Sequence, residues 1–259
     1  MTPRESPLLG IDVGGSEIKY ALVEPSSGIL ASEPRSIATP QDFGVEEVTE
    51  VLLGLASEFA PNATVGVGLP AAISEGRVLS PPTAREFGGW VGYDLADALT
   101  NAHGAPFVVA NDADVAGLAE VAFGAGKGRA GVVLMLTLGT GIGSALFHDG
   151  ILVPNTELGK LYLQSSEEVA ELHVASRVKT ELNLSLEEWS MRLSQYLEQI
   201  DRLFCPELVI LGGGISREAD RFLSRLSIRG EIRAAELVNS AGIVGAARLA
   251  AQSRSESDA

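Results

Sequence analysis

Asn111, Asp112 and Asp114 crowd into four residues of the stretch VVANDADVAGLAE, where an apolar strand pattern ends at Ala110 and a helical one begins. Asn and Asp at such a junction cap helices, because their side-chain oxygens accept from backbone N–H groups of the first turn. One cap uses one such residue, and here there are three. A carboxylate at the carboxyl end of a strand, facing a cleft, suits a general base that withdraws a proton from a hydroxyl. Asp112 is the candidate for that role.

A second group of residues has the character of phosphate machinery. In GIDVGGSEIKYAL, residues 10–22, Asp12 stands beside Gly14 and Gly15, and Ile18, Tyr20 and Leu22 then keep a period of two. The stretch reads strand, tight turn, strand, rather than the strand-to-helix turn of a dinucleotide fold. A bare hairpin does not account for Asp12. A hairpin that hosts a phosphate and its metal does, with Asp12 holding Mg²⁺ through water while Ser16 and Lys19 reach the transferred group. In LTLGTGIGS, 136–144, Gly139 and Gly141 let backbone amides approach an anion and Thr140 adds a hydroxyl. The alternative there is a glycine hairpin without a ligand.

Three further stretches carry weaker signals. LVILGGGIS, 208–216, is a buried strand ending in Gly212, Gly213 and Gly214 before a helix expected near Ser216; it serves a nucleotide or simply bends the chain. GAGKGRAG, 124–131, has Gly128 where a P-loop needs Ser or Thr, so it reads as a connector whose Lys127 and Arg129 could meet a polyanion. PNTELGKLYL, 154–163, offers Glu157 and Lys160, either as site residues or as an ion pair on an exposed turn.

These residues need a scaffold, and the apolar patterning supplies an α/β one. Strands are expected at 7–13, 18–24, 65–69, 107–110, 131–137, 143–148 and 207–211. A helix over about 45–60 follows from Val45, Val48, Leu52, Leu55 and Phe59. Another, over 185–204, opens with the capping box SLEE and places Trp189, Leu193, Tyr196, Ile200 and Leu203 on one face, as core. LLGIDVGGSEIKYALV and VLMLTLGTGIGSALF share one layout, and each is followed by Gly-Ile-Leu, at 28–30 and 150–152. Unless the likeness is chance, this echo implies a duplicated, two-lobed architecture with the glycine turns facing one another across a cleft.

Composition narrows the function classes. The 259 residues are 46% hydrophobic and carry a net charge of −15, which argues against nucleic acid and anionic membrane partners. One cysteine, Cys205, excludes an internal disulfide, and three scattered histidines exclude a Cys/His zinc cluster. No apolar run approaches the roughly 20 residues of a membrane span, and MTPRESPLLG lacks a signal-peptide core. The expected setting is cytoplasmic.

DVGGSEIK, NDADVAGLAE, LTLGTGIGSALF, LVPNTELG, LGGGIS and AGIVGAA occur in the order found in the ROK sugar kinases. From about Leu8 to Ala250 the chain resembles that family, most of all its polyphosphate glucokinase branch. The resemblance implies the actin/hexokinase-like ATPase fold (a ribonuclease H-like duplication), homodimerisation, and transfer of a phosphoryl group from polyphosphate or ATP, with Mg²⁺, to a sugar 6-hydroxyl. Asp12, Gly14, Gly15, Ser16 and Lys19 match the first phosphate motif, and Gly139, Thr140 and Gly141 the second. Asp112 matches the catalytic base, Asn111 and Glu157 match sugar ligands, and Gly212, Gly213 and Gly214 match glycines beside the nucleotide pocket. Glu171 is the nearest remaining sugar-site carboxylate. The cysteine-rich motif of zinc-bearing relatives is lacking, so no structural zinc is expected.

The domains implied are an N-terminal lobe over 1–112, a C-terminal lobe over 113–238, a closing helix over 239–252 returning to the first lobe, and a frayed tail over 253–259. The sugar site departs from the family pattern: Lys160 replaces a His, Tyr162 replaces a common Glu, and SPPTAREFGGW offers no Asn. Unmodified glucose is therefore expected to be a poor acceptor. The competing reading is a catalytically impaired sugar- and phosphate-binding relative with a regulatory role; an actin-like assembly ATPase would not need NDAD followed by ELG.

Overall fold

The computed structural model describes residues 6–82, 88–164 and 166–257. Thr83 to Phe87, the middle of SPPTAREFGGW, lie outside the described residues, as do residues 258 and 259 at the end of the expected tail. The chain divides into two compact units, one of Met1–Ala119 with Ser240–Ala259 and one of Glu120–Asn239.

In the first unit the chain runs β1 (Leu8–Val13), β2 (Glu17–Glu24), β3 (Ile29–Leu30), β4 (Arg35–Ala38), α1 (Val45–Phe59) and β5 (Val65–Leu69). It continues through β6 (Ile73–Ser74), β7 (Arg77–Val78), α2 (Leu95–His103), β8 (Phe107–Asn111) and the start of α3 (Asp112–Phe123). The sheet order is β3-β2-β1-β5-β8, with β4 also on β2. The β1–β2 and β2–β3 pairs are antiparallel, whereas β1–β5 and β5–β8 are parallel. β5, VGVGL, is buried at every position, as a parallel strand covered on both faces must be. Trp90 anchors the core and donates its indole N–H to the Phe43 carbonyl at 2.8 Å.

The second unit repeats the pattern. It contains β9 (Val132–Leu138), β10 (Ile142–His148), β11 (Ile151–Val153), α4 (Ala170–Val174), α5 (Ser176–Glu181), α6 (Leu186–Phe204), β12 (Leu208–Gly212) and β13 (Glu231–Ala234). Its sheet order is β11-β10-β9-β12-β13, with antiparallel pairs on one side of β9 and parallel pairs on the other. The Gly-Ile-Leu echo is the third strand of each unit folding back on the second. α6 begins with the expected capping box at Ser185 and Glu188 and buries Trp189, Leu193, Tyr196 and Ile200. Trp189 packs edge-on against Phe222, with ring centres 5.2 Å apart. Leu203, expected on the buried face, is 57% exposed, and Phe204 is the residue of the last turn that packs against the core.

α7 (Ala241–Ser257) returns to the first unit. A Cβ on Gly10 of β1 would stand 2.0 Å from the Ile243 carbonyl, and one on Gly66 of β5 only 1.8 Å from that of Ala246. Helix and strands meet backbone to backbone.

Three expectations need correction. α3 is continuous from Asp112 to Phe123, so the division falls inside it, after Ala119, and not at 112. The segment after β12 is a 3₁₀ helix over Gly214–Arg221, because the Gly213 carbonyl accepts from both the backbone N–H and the hydroxyl of Ser216, closing an i+3 turn. The C-terminal tail is helical to Ser257, since α7 simply continues.

Candidate active site

Asn111 supplies the cap of α3. Its Oδ1 accepts from the N–H groups of Ala113 (2.9 Å) and Asp114 (3.1 Å), and its Nδ2 donates to the Ala71 carbonyl at 3.1 Å. One amide hydrogen remains beyond the Ala71 bond. Asp114 is buried, at 1% exposure, while Asp112 stays partly open, with Oδ1 accepting from the Ala113 N–H at 2.8 Å. The three polar residues differ in setting: Asn111 caps α3, Asp114 is buried, and Asp112 shares the Ala113 N–H while staying partly open at the end of β8.

Asp12 lies within the same unit. In register it faces Lys19 on β2 and Gly68 on β5. A Cβ on Gly68 would lie 3.5 Å from Asp112 Cα and 3.9 Å from Asp12 Oδ1, so the two aspartates flank one glycine. A Cβ on Gly242 would come within 2.5 Å of the Asp12 carboxyl, which therefore rests on the first turn of α7. Burial raises the Asp12 pKa above its ordinary value, and Lys19 opposes that rise. Lys19 also pairs with Glu17 at 3.1 Å. The β1–β2 turn closes by a bond from Gly14 N–H to the Glu17 carbonyl at 3.0 Å, leaving Gly15 and Ser16 exposed at its tip. Thr39 pins it: its hydroxyl donates to the Gly14 carbonyl at 2.7 Å and its N–H to that of Ser16 at 3.1 Å.

In the second unit Gly139, Thr140 and Gly141 form the β9–β10 loop, closed by a Gly139 N–H bond to the Gly141 carbonyl at 3.0 Å. Thr140 is exposed. The 212–214 turn backs this loop: Gly213 has φ +84°, and a Cβ there would stand 2.3 Å from the Leu138 carbonyl. Only glycine satisfies both conditions. The Ser176 hydroxyl donates to Leu138 O at 2.8 Å, and the Arg177 N–H to Gly139 O at 3.2 Å.

Glu157, Lys160 and Glu171 gather beside that loop. Ser144 of β10 donates its hydroxyl to the Thr156 carbonyl at 2.5 Å and accepts from the Leu158 N–H at 3.0 Å, which pins PNTELG to the hairpin. Lys160 forms its ion pair with Glu171, not with Glu157, because Glu171 on α4 comes within reach of the short 3₁₀ turn Leu158–Lys160. A Cβ on Gly141 would stand 2.8 Å from Glu171 Oε2. Glu157 keeps an open edge, yet partial burial raises its pKa; Lys160 lowers it and Glu171 raises it further. Tyr162 is 69% exposed, and Arg129 is held by Glu231 at 2.8 Å.

Sequence reasoning overlooked Thr39, Gly68, Ser144 and Gly242. Gly242 left a trace in the small-residue motif AGIVGAA, and Ser144 closes LTLGTGIGS without a role there; Thr39 and Gly68 sit in ordinary strand and loop contexts.

The ROK family profile matches residues 8–168. A polyphosphate glucokinase of Mycobacterium leprae is 38% identical over 95% of this chain and 79% of that protein. A solved inorganic polyphosphate/ATP-glucomannokinase from an Arthrobacter species is 42% identical, with a TM-score of 0.89 over 96% of this chain and all of the other. A ROK glucokinase structure from Streptomyces griseus, 24% identical, shares the fold at a TM-score of 0.77. The repeated sheets are thus those of the actin/hexokinase-like ATPase fold. With the ordered motifs and the profile match over most of its length, the chain belongs to the ROK family.

Proposed function

We propose that this protein is a sugar kinase, moving a terminal phosphoryl group from polyphosphate or ATP to the 6-hydroxyl of a hexose. The similarity to polyphosphate glucokinases and to the glucomannokinase supports the reaction class. The observation that carries the assignment of roles is the difference in exposure at β8–α3. Asn111 and Asp114 are buried whereas Asp112 is partly open, so Asp112 is the carboxylate placed to accept the proton of the attacking hydroxyl. Within the first unit, Asn111 offers its remaining amide hydrogen to an acceptor hydroxyl, and Gly14, Gly15, Ser16 and Lys19 offer N–H groups, a hydroxyl and an ammonium to phosphate. Within the second, Glu157 can accept from a sugar hydroxyl, and Gly139, Thr140 and Gly141 offer loop amides and a hydroxyl to phosphate. The 212–214 turn shapes the second loop and serves the nucleotide when ATP is the donor.

Asp12 fits Mg²⁺. Its carboxyl is desolvated enough for burial to raise its pKa, and a cation offsets that penalty. Mg²⁺ is commonly held by one or two carboxylates together with water and substrate phosphate, so the single Asp12 carboxylate would be a sufficient protein ligand. When bound, the ion would neutralise charge on the transferring phosphoryl group.

Lys160 occupies one oxygen of Glu171, which favours a weakened site for unmodified glucose and gives the impaired-binder reading its one support. Among the described residues no helix is long and apolar enough to cross a membrane. The family resemblance adds a homodimer, read from the mass in solution, and a cytoplasmic setting, read by cell fractionation. The test is a screen of glucose, mannose and related hexoses against ATP and polyphosphate with Mg²⁺. Turnover of at least one hexose is expected. Binding without turnover across the screen would favour the regulatory relative, and a glucose kcat/KM of ~10⁴ M⁻¹s⁻¹ or above would contradict an impaired glucose site.

A further inference from the structure

Glu171 sets a carboxylate against the loop proposed to hold the donor. Its side chain is 17% exposed, and its Oε2 lies 2.8 Å from where a Cβ on Gly141 would stand. An uncompensated carboxylate there would repel a phosphate bound at Gly139–Gly141, and partial burial keeps that repulsion from being screened. The other oxygen of Glu171 is taken by Lys160 Nζ, from an element eleven residues earlier in the chain. The Lys160 side chain is half exposed, at 50%. Glu157 registers the same two charges with opposite signs.

We infer that Lys160 is the counter-ion that keeps the Gly139–Gly141 loop usable by an anionic donor, by neutralising Glu171. The inference rests on the proposed function only in naming the donor: the loop's affinity for phosphate chains is measurable without turnover. Lys160 is then a positioning residue for the donor, and its loss matters only while Glu171 is charged.

The test is direct binding of inorganic tripolyphosphate, with AMP-PNP as the second probe, to the full chain by calorimetry. Lys160→Met weakens binding about 10-fold or more, Glu171→Gln binds as tightly as the unaltered protein or tighter, and the double variant returns to within about 3-fold of it. Lys160→Arg retains affinity. Arg202→Met, which removes a remote exposed cation paired with Glu198, shifts nothing and controls for net charge. Thermal midpoints verify that each variant is folded. The inference is overturned if Lys160→Met binds normally, if the double variant is as weak as Lys160→Met (a direct Lys–phosphate contact instead), or if the unaltered chain binds neither probe. Binding that follows the expected pattern while no hexose is phosphorylated would remove the kinase reading and leave this one standing.

Discussion

Asp12 shows the conflict between stability and chemistry at a single residue. Its folded pKa is raised above the ordinary 3.8, chiefly by burial. The folded chain therefore holds that proton more tightly than the unfolded chain, so the charged form costs stability at neutral pH. The cost is relieved as pH falls through the raised pKa towards 3.8. Asp12→Asn, nearly isosteric against Gly242, should raise the thermal midpoint at pH 7 and lose that advantage as pH falls towards 4, while donor turnover drops. A lower midpoint at pH 7 would show that the carboxylate contributes net stability. The candidate base was legible because three capping residues exceeded one cap. The division among them was not, since only the fold brings Ala71 to the Asn111 amide. The Lys160–Glu171 pair was equally hidden: nothing in GKLY or AELH tells that α4 carries one to the other.

At the scale of elements, the hairpins and parallel strands were readable because glycine turns and unbroken apolar runs are local signals. β3, β6 and β7 are too short to show a period, and Gly214–Arg221 followed the turn geometry of Gly213 rather than a helical pattern. AGIVGAA looked like a motif without a mechanism, and α7 supplies one. A Cβ on Gly245 would stand 1.6 Å from the Val115 carbonyl of α3, a backbone atom that cannot rotate away. Gly245→Ala should therefore destabilise the protein by about 1–3 kcal/mol or more, read as a lower denaturant midpoint at unchanged m-value. An unchanged midpoint would mean that α7 is not packed this closely on α3.

At the scale of the molecule, each unit sets its candidate residues where an antiparallel hairpin meets a parallel strand: Asp12 beside Gly68 in one, and the Gly139–Gly141 loop beside Gly213 in the other. The duplication was visible in the two hairpins and their Gly-Ile-Leu continuations. The closing helix expected over 239–252 is α7, in the first unit as expected; its close small-residue packing on β1 and β5 has no counterpart in hydrophobic periodicity. A chain of net charge −15 that uses an anionic donor must rely on local hydrogen-bond donors and cations. The most direct measurement is the initial rate of hexose 6-phosphate formation, with Mg²⁺ and either ATP or polyphosphate, by the unaltered protein and by Asp112→Asn side by side. Product is expected from the unaltered chain, with a kcat lower by ~10²-fold or more in the variant and with donor binding and thermal midpoint retained. No product from any hexose, or a variant that turns over as fast as the unaltered protein, would contradict that expectation.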